Sequence, residues 1–217
     1  MKVDDNSSLK VLIIFAHPNK DSLNGSILEK FIEGLSKNNV EYKVRDLNLE
    51  KFDPVYTKIE LENSYRGIVP EFCQKEQQYL LWANTLVWIY PCWNFSMPAI
   101  LKGYIDKVFL IPNFSFSSDA KGTEYFGGLF SDKKALIIQT LGGSIDRNRK
   151  EIGKHPFVHD LILSMSYAGI KKLHIKQFEN IYSFASKQHS EIKQILKTSY
   201  CLGASIKNLS FDLEDLI

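Results

Sequence analysis

Residues 86–108 read LVWIYPCWNFSMPAILKGYIDKV, and the order of chemistry along this stretch decides the fold. An apolar run with a β-branched bias, Leu86 to Tyr90, stops at Pro91. Trp93 and Phe95 follow at once and flank Asn94. Met97-Pro98 then opens a helix with Ile100, Leu101, Tyr104, Ile105 and Val108 at helical spacing. Proline suits a helix start because the N–H it lacks would be unpaired there anyway. A buried strand that ends in an aromatic turn and runs into a helix is how an α/β sheet presents a flat ligand with its polar edges toward backbone N–H groups.

Outward from this stretch, strands and helices alternate. Lys10–Ala16 (KVLIIFA) is nearly all apolar, as a strand covered on both faces is. Ser26–Leu35 carries Ile27, Phe31, Ile32 and Leu35 at helical spacing, and Val40–Leu47 alternates as a more exposed strand does. The segment from Asn48 to about Pro70 has few periodic apolar residues and reads as an excursion. A helix over about Glu71–Ala83 leads into the Leu86 strand, and residues 111–132, rich in Phe, Ser and Gly, form a second excursion. Ala135–Gln139 is a fourth strand, Phe157–Ala168 a helix, Leu173–Phe178 a fifth strand and Gln188–Ser205 the last helix. Five strands separated by helices imply a parallel sheet, because parallel neighbours need a crossover connection. The expected architecture is α/β, a doubly wound three-layer αβα sandwich with strand order 2-1-3-4-5. No repeat or linker interrupts the pattern, so residues 1–217 read as a single domain.

Composition narrows the function. The chain is long enough to bury a full core without disulfides or metals, and 44% hydrophobic with 24% charged residues is globular. A net charge of +2 with scattered Lys and Arg gives no basic face, so no nucleic-acid partner is expected. Cys73, Cys92 and Cys201 are far apart with no CxxC, which suggests neither a disulfide framework nor a metal site. No run approaches the roughly 18 apolar residues of a membrane span, and MKVDDNSSLK at the N-terminus lacks an apolar signal core. The expectation is a cytoplasmic protein without membrane insertion.

Ligands of such sheets sit beyond the carboxyl ends of the strands, and three loops there carry chemistry. The first, Ala16 to Ser26, runs from a buried strand into a helix N-terminus, whose unpaired N–H groups and positive dipole end suit an anion such as phosphate. His17, Ser22 and Asn24 add side-chain donors, although Ser, Asn and Asp also make ordinary caps and turns. Neither GxGxxG nor a Walker A lysine motif is present, which disfavours a dinucleotide Rossmann site or an NTPase. In the second loop, Trp93 and Phe95 read individually as core aromatics, but two of them with Asn94 and Cys92 at one strand end are harder to bury. Cys92 has no neighbour that would lower its pKa, so it reads as a backbone donor rather than a nucleophile. In the third, Gly142 and Gly143 permit either close approach to a ligand or a plain turn.

Together, AHPNKDSLN (16–24), PCWNFSMPAILKGYIDKVF (91–109) and TLGGS (140–144) resemble the flavodoxin-like NAD(P)H:quinone oxidoreductases, the family of mammalian quinone reductases and bacterial modulators of drug activity. The middle motif is the most specific. The resemblance implies a tightly bound flavin. His17, Ser22, Leu23 and Asn24 match the segment around its phosphate and ribityl chain, and Pro91, Cys92, Trp93, Asn94 and Phe95 match the loop lining its ring. Thr140, Leu141, Gly142 and Gly143 match the loop at the pyrimidine end. It also implies a homodimer and places Phe114 and Phe116 where the family's aromatics cover the substrate. One departure concerns the Tyr and His that stabilise charge on the reduced ring in mammalian members: the Tyr position falls on Asn148, and the nearest His is His155, one residue late beside Lys154. His155 could equally be a solvated residue before Pro156.

The implied activity is hydride transfer from NADH or NADPH through the flavin to a quinone-like small molecule by a ping-pong cycle, with the flavin carrying the chemistry. FMN is expected rather than FAD, because the chain lacks the C-terminal extension of the mammalian members. An azo- or nitro-reductase would use the same flavin chemistry. An electron carrier is disfavoured by the absence of a strongly acidic charge, and a transporter-regulating flavin subunit is a further alternative that family members illustrate.

Overall fold

The computed structural model describes residues 8–111, 114–118, 125–145, 155–181 and 189–211. The main sheet is built from β1 (Lys10–Phe15), β2 (Glu41–Asp46), β3 (Thr85–Pro91), β6 (Lys134–Thr140) and β7 (Lys172–Phe178). All neighbours pair in parallel and the order is β2-β1-β3-β6-β7, which is the expected 2-1-3-4-5. The central strands β1, β3 and β6 are buried on both faces, which explains their unbroken apolar sequences.

Alternation along those strands divides the core in two. Leu12, Ile14, Leu86, Trp88, Tyr90 and Ile137 face one helical layer: α3 (Glu71–Trp82), α4 (Ala99–Tyr104) and α5 (His159–Tyr167). Val11, Ile13, Phe15, Val87, Ile89 and Ile138 face the other, α1 (Leu23–Lys37) and α6 (His189–Ala204). Trp88 is fully buried and meets Phe109 edge-on with ring centroids 5.7 Å apart.

The two excursions contain structure that periodicity does not reveal. Residues 58–64 form a short helix, α2 (Lys58–Ser64), started by a capping box in which Thr57 Oγ1 accepts from Glu60 N–H and Glu60 accepts from Thr57 N–H. The helix after Pro98 changes at Tyr104 into a π-turn over Ile105–Phe109, closed by Leu110 N–H donating to Ile105 O at 2.7 Å. That turn docks the first excursion. Lys107, only 4% exposed, donates to Val55 O at 2.9 Å and pairs with Glu60 at 3.1 Å, and Tyr56 Oη donates to Asp106 O. Gly103 is needed here, since a Cβ would stand 2.3 Å from Pro54 Cβ. The second excursion contains the antiparallel strands β4 (Phe116–Ser118) and β5 (Tyr125–Gly128).

Candidate functional site

The carboxyl ends of β1, β3 and β6 bring the three polar loops together, through side chains distant in sequence. Asn24, in the first turn of α1, is 4% exposed and its Nδ2 donates to Thr140 Oγ1 at 2.9 Å. The ring of His17 lies edge-on to Trp93 with centroids 6.0 Å apart. Loop one therefore touches both of the others.

In loop one, Ser22 is the N-cap of α1, with Oγ accepting from Gly25 N–H at 3.2 Å. Ser22 thus serves the helix end itself, while Leu23 and Asn24 N–H carry no hydrogen bond among the described residues. Asn24 Oδ1 is buried without a partner. A buried orphan acceptor costs about 1–3 kcal/mol, so its presence in the first turn of a helix whose first two amides are open marks a place where a ligand donor fits. The His17 ring turns Nδ1 back onto Asn19, 2.9 Å from its O and 3.1 Å from its N, and leaves Nε2 unengaged. Gly25, which sequence reading passed over, lets the 17–22 loop fold onto the helix: a Cβ there would stand 1.8 Å from Lys20 O.

Loop two is a two-residue type I′ turn. Trp93 N–H donates to Ser96 O at 2.9 Å and Ser96 N–H donates to Trp93 O at 3.1 Å, with Asn94 and Phe95 at φ 48° and 70°. Asn tolerates that conformation; Phe does so at a cost of about 1–2 kcal/mol. Trp93 and Phe95 are 42% and 74% exposed, so neither is a core aromatic. Cys92 requires a correction. Its N–H donates to Thr140 O at 2.7 Å as a continuation of the sheet, so it is no backbone donor for a ligand. Its thiol is no nucleophile either: burial pushes the pKa up to about 11, against the hydrogen bond from Phe95 N–H and with the help of the Asp160 charge. Asn94 N–H has no hydrogen-bond partner among the described residues.

Loop three divides sharply. Thr140 and Leu141 are buried, the Thr140 hydroxyl is held by Asn24, and Leu141 N–H donates to Phe178 O at 2.8 Å. Gly142 and Gly143 N–H have no partner among the described residues, and a Cβ on Gly143 would meet nothing within 4 Å. The donors open to a ligand are thus the Leu23, Asn24, Asn94, Gly142 and Gly143 amides with His17 Nε2. That set suits an anionic group at the helix end and the carbonyl and ring-nitrogen acceptors of a flat heterocycle.

Asn148 lies outside the described residues, as does Lys154. His155 is half-buried at the head of the segment leading into α5. Phe114 packs T-shaped on Phe130 at 5.3 Å and Phe116 on Tyr167 at 4.9 Å. Sequence reading assigned no role to Ser96, although it lies within the 91–109 motif, and missed Gln139, Asp160 and Gln177. Among the described residues, no group of three or more His, Cys, Asp or Glu could hold a metal ion, and no helix is long and apolar enough to cross a membrane.

A family described as having the flavodoxin-like fold matches residues 9–199. The chain is 32% identical over 201 residues to an uncharacterized NAD(P)H oxidoreductase of Haemophilus influenzae, covering 90% of this chain and 97% of that one. It is 32% identical over 152 residues to an FMN-dependent NADH:quinone oxidoreductase of Macrococcus caseolyticus, covering 62% of this chain and 70% of that one. Among solved structures, Smu.1420 of Streptococcus mutans UA159 superposes with a TM-score of 0.75 at 25% identity, covering 91% of this chain and all of that one.

Proposed function

Because the chain belongs to the flavodoxin-like family, we propose that it is an FMN-dependent NAD(P)H oxidoreductase that passes a hydride from a reduced nicotinamide to a quinone-like electrophile. The observation that carries this reading is the convergence of unengaged backbone donors at one end of the sheet, with the buried Asn24 Oδ1 as an unmet acceptor among them.

Bound FMN would supply the chemistry, accepting and donating the hydride. The chain supplies position and charge. The start of α1, through Leu23 and Asn24 N–H with His17 beside them, would hold the phosphate and ribityl chain. Asn24 Oδ1 would accept from a ribityl hydroxyl, which relieves its orphaned burial. Gly142, Gly143 and Asn94 N–H would donate to the acceptor atoms of the ring and favour negative charge there through dipoles already fixed by the fold. Trp93, exposed beside His17, would offer an apolar wall for a flat reactant. No side-chain nucleophile takes part, and a single open slot that receives donor and acceptor in turn gives ping-pong kinetics. Asn148 and His155 are the proposed charge-stabilising pair. In this reading residues 1–217 act as one domain in the cytoplasm.

We also propose a homodimer, and the first excursion, where Val55, Ile59 and Tyr65 are 67%, 69% and 68% exposed, is the surface we assign to it.

Heat release of the cofactor followed by chromatography is expected to give FMN, and anaerobic mixing with NADH or NADPH is expected to bleach its visible band. Purified protein that takes up no added FMN, or bound FMN that neither nicotinamide reduces, overturns the reading.

A further inference from the structure

The strained turn at 93–96 needs an anchor outside itself, and two contacts reach it from one segment. Ser96 Oγ donates to Asp160 Oδ2 at 2.5 Å, across 64 positions of sequence. The Phe95 ring lies 5.4 Å from that of Phe157. The segment from Pro156 to Asp160 is in turn fixed from below. Gln139, fully buried at the end of β6, donates Nε2 to Phe157 O at 2.9 Å. Gln177 of β7 donates to Pro156 O at 2.7 Å and to Gln139 Oε1 at 2.8 Å. The Asp160 carboxylate is itself immobilised. Its Oδ1 accepts from Leu161 N–H at 2.9 Å, in the first turn of α5, where the helix dipole favours an anion. Burial raises the pKa of the Tyr90 hydroxyl and of the Cys92 thiol, and the charge of the same carboxylate adds to both shifts.

We propose that Asp160 is a positioning residue: through Ser96 it clasps the aromatic type I′ turn to α5 and so fixes the direction of Asn94 N–H and the plane of Trp93 against the flavin. This rests on the flavin reading above. A hydrogen bond to an ionised acceptor is among the stronger ones, and strained backbone persists only where surrounding contacts over-determine it. Without the clasp the turn has an inexpensive escape, because Phe95 gains by leaving φ 70°.

The test compares wild type with D160A, S96A, D160A/S96A, D160N and S96T. Asn at 160 and Thr at 96 each retain a hydrogen-bonding partner, so D160N and S96T serve as rescues. Hydrogen exchange on the flavin-free protein is expected to speed up at Trp93 and Ser96 N–H by about ten-fold in D160A and S96A, with strand amides of β1 and β6 unchanged. FMN affinity, followed by flavin fluorescence, is expected to fall about ten-fold in both, with an altered visible band for the flavin that binds. The double variant is expected to be no worse than either single one, the mark of a shared interaction, and D160N and S96T are expected to stay within about three-fold of wild type. If wild type takes up no FMN, the flavin reading fails and the proposal fails with it, whatever the exchange rates. If wild type binds FMN and D160A binds it equally well with an unaltered band, the clasp is overturned and the flavin reading stands. Faster exchange with unchanged affinity likewise overturns positioning, since it leaves a merely structural contact.

Discussion

The two halves of the sheet's carboxyl edge handle their polar groups in opposite ways. At the end of β2, Arg45 is 7% exposed and engaged at all three guanidinium nitrogens: it makes a bidentate pair with the buried Glu76 of α3 at 2.6–3.0 Å, and its Nη1 pairs with Glu50 at 3.1 Å. Next to it Asp46 Oδ1 accepts from Asn48 and Leu49 N–H. Among the described residues, Asn48 Nδ2 is the buried side-chain atom there without a partner. At the ends of β1, β3 and β6, the Leu23, Asn24, Asn94, Gly142 and Gly143 amides and Asn24 Oδ1 have no partner among the described residues. Burial demands satisfaction wherever the fold alone is served. An edge that declines it beside one that achieves it separates groups kept for a ligand from groups kept for stability.

The largest effect that would sharpen this contrast belongs to the saturated half. Burial alone would lower the pKa of Arg45, but the hydrogen bonds and charge of Glu76, with Glu50 behind, outweigh it and hold the guanidinium above its ordinary value. E76A leaves that buried cation with Glu50 alone and is expected to cost about 3–5 kcal/mol in urea unfolding. The folded fraction should still bind FMN within about three-fold of wild type. A large loss of affinity without loss of stability would show that the two halves are not separable.

G25A acts at the border. Alanine is the better helix former by about 0.5–1 kcal/mol, yet its Cβ would lie 1.8 Å from Lys20 O, a backbone atom that cannot rotate away. The 17–22 loop must shift, so a net loss of about 1–2 kcal/mol is expected, together with at least about ten-fold weaker FMN binding. A variant that binds FMN normally would show that the loop's path over α1 does not matter to the ligand.

How far these distinctions could be read in the sequence depends on where the signal resides. Strand order and the double-sided core followed from unbroken apolar runs such as Val11–Phe15, and the three loops from their positions at strand ends. Thr57 and Glu60 at capping-box spacing were also visible, yet the helix they start was passed over because so few apolar residues followed. The π-turn at 105–109 keeps helical spacing in sequence and differs only in its hydrogen bonds. Pairings such as Asn24 with Thr140 and Ser96 with Asp160 join positions 116 and 64 apart, and no local pattern encodes them. Cys92 was misjudged for a related reason. Whether an amide is spent in a ladder depends on the neighbouring strand, here on Thr140 O.

A double substitution can split stability from binding within the open half. N24L alone would leave the Thr140 hydroxyl without its donor, but N24L/T140V removes both partners of the 2.9 Å bond and the orphaned Oδ1 with them. Replacing a buried polar pair by apolar groups of similar shape is nearly neutral or stabilising. Urea unfolding of the flavin-free variant is therefore expected within about 1 kcal/mol of wild type or above it, while FMN affinity falls about ten-fold. A stable variant with full affinity would mean that Asn24 Oδ1 is a tolerated defect rather than a ligand acceptor.

The smallest expected effect concerns Cys92, the residue most tempting as a reactive group in the aromatic turn. With a thiol pKa of about 11, only about 0.1% of it is thiolate at pH 8. Iodoacetamide at that pH should modify the exposed Cys201 first, and the rate at Cys92 should climb about ten-fold per pH unit up to pH 10 without levelling off. C92S keeps the amide that donates to Thr140 O and a side chain that can accept from Phe95 N–H. Reductase activity within about two-fold of wild type is expected, in line with substitutions outside the named sources of large effects. Rapid alkylation at pH 7, or an inactive C92S, would move the chemistry of this edge from the open amides onto sulfur and undo the separation drawn between its two halves.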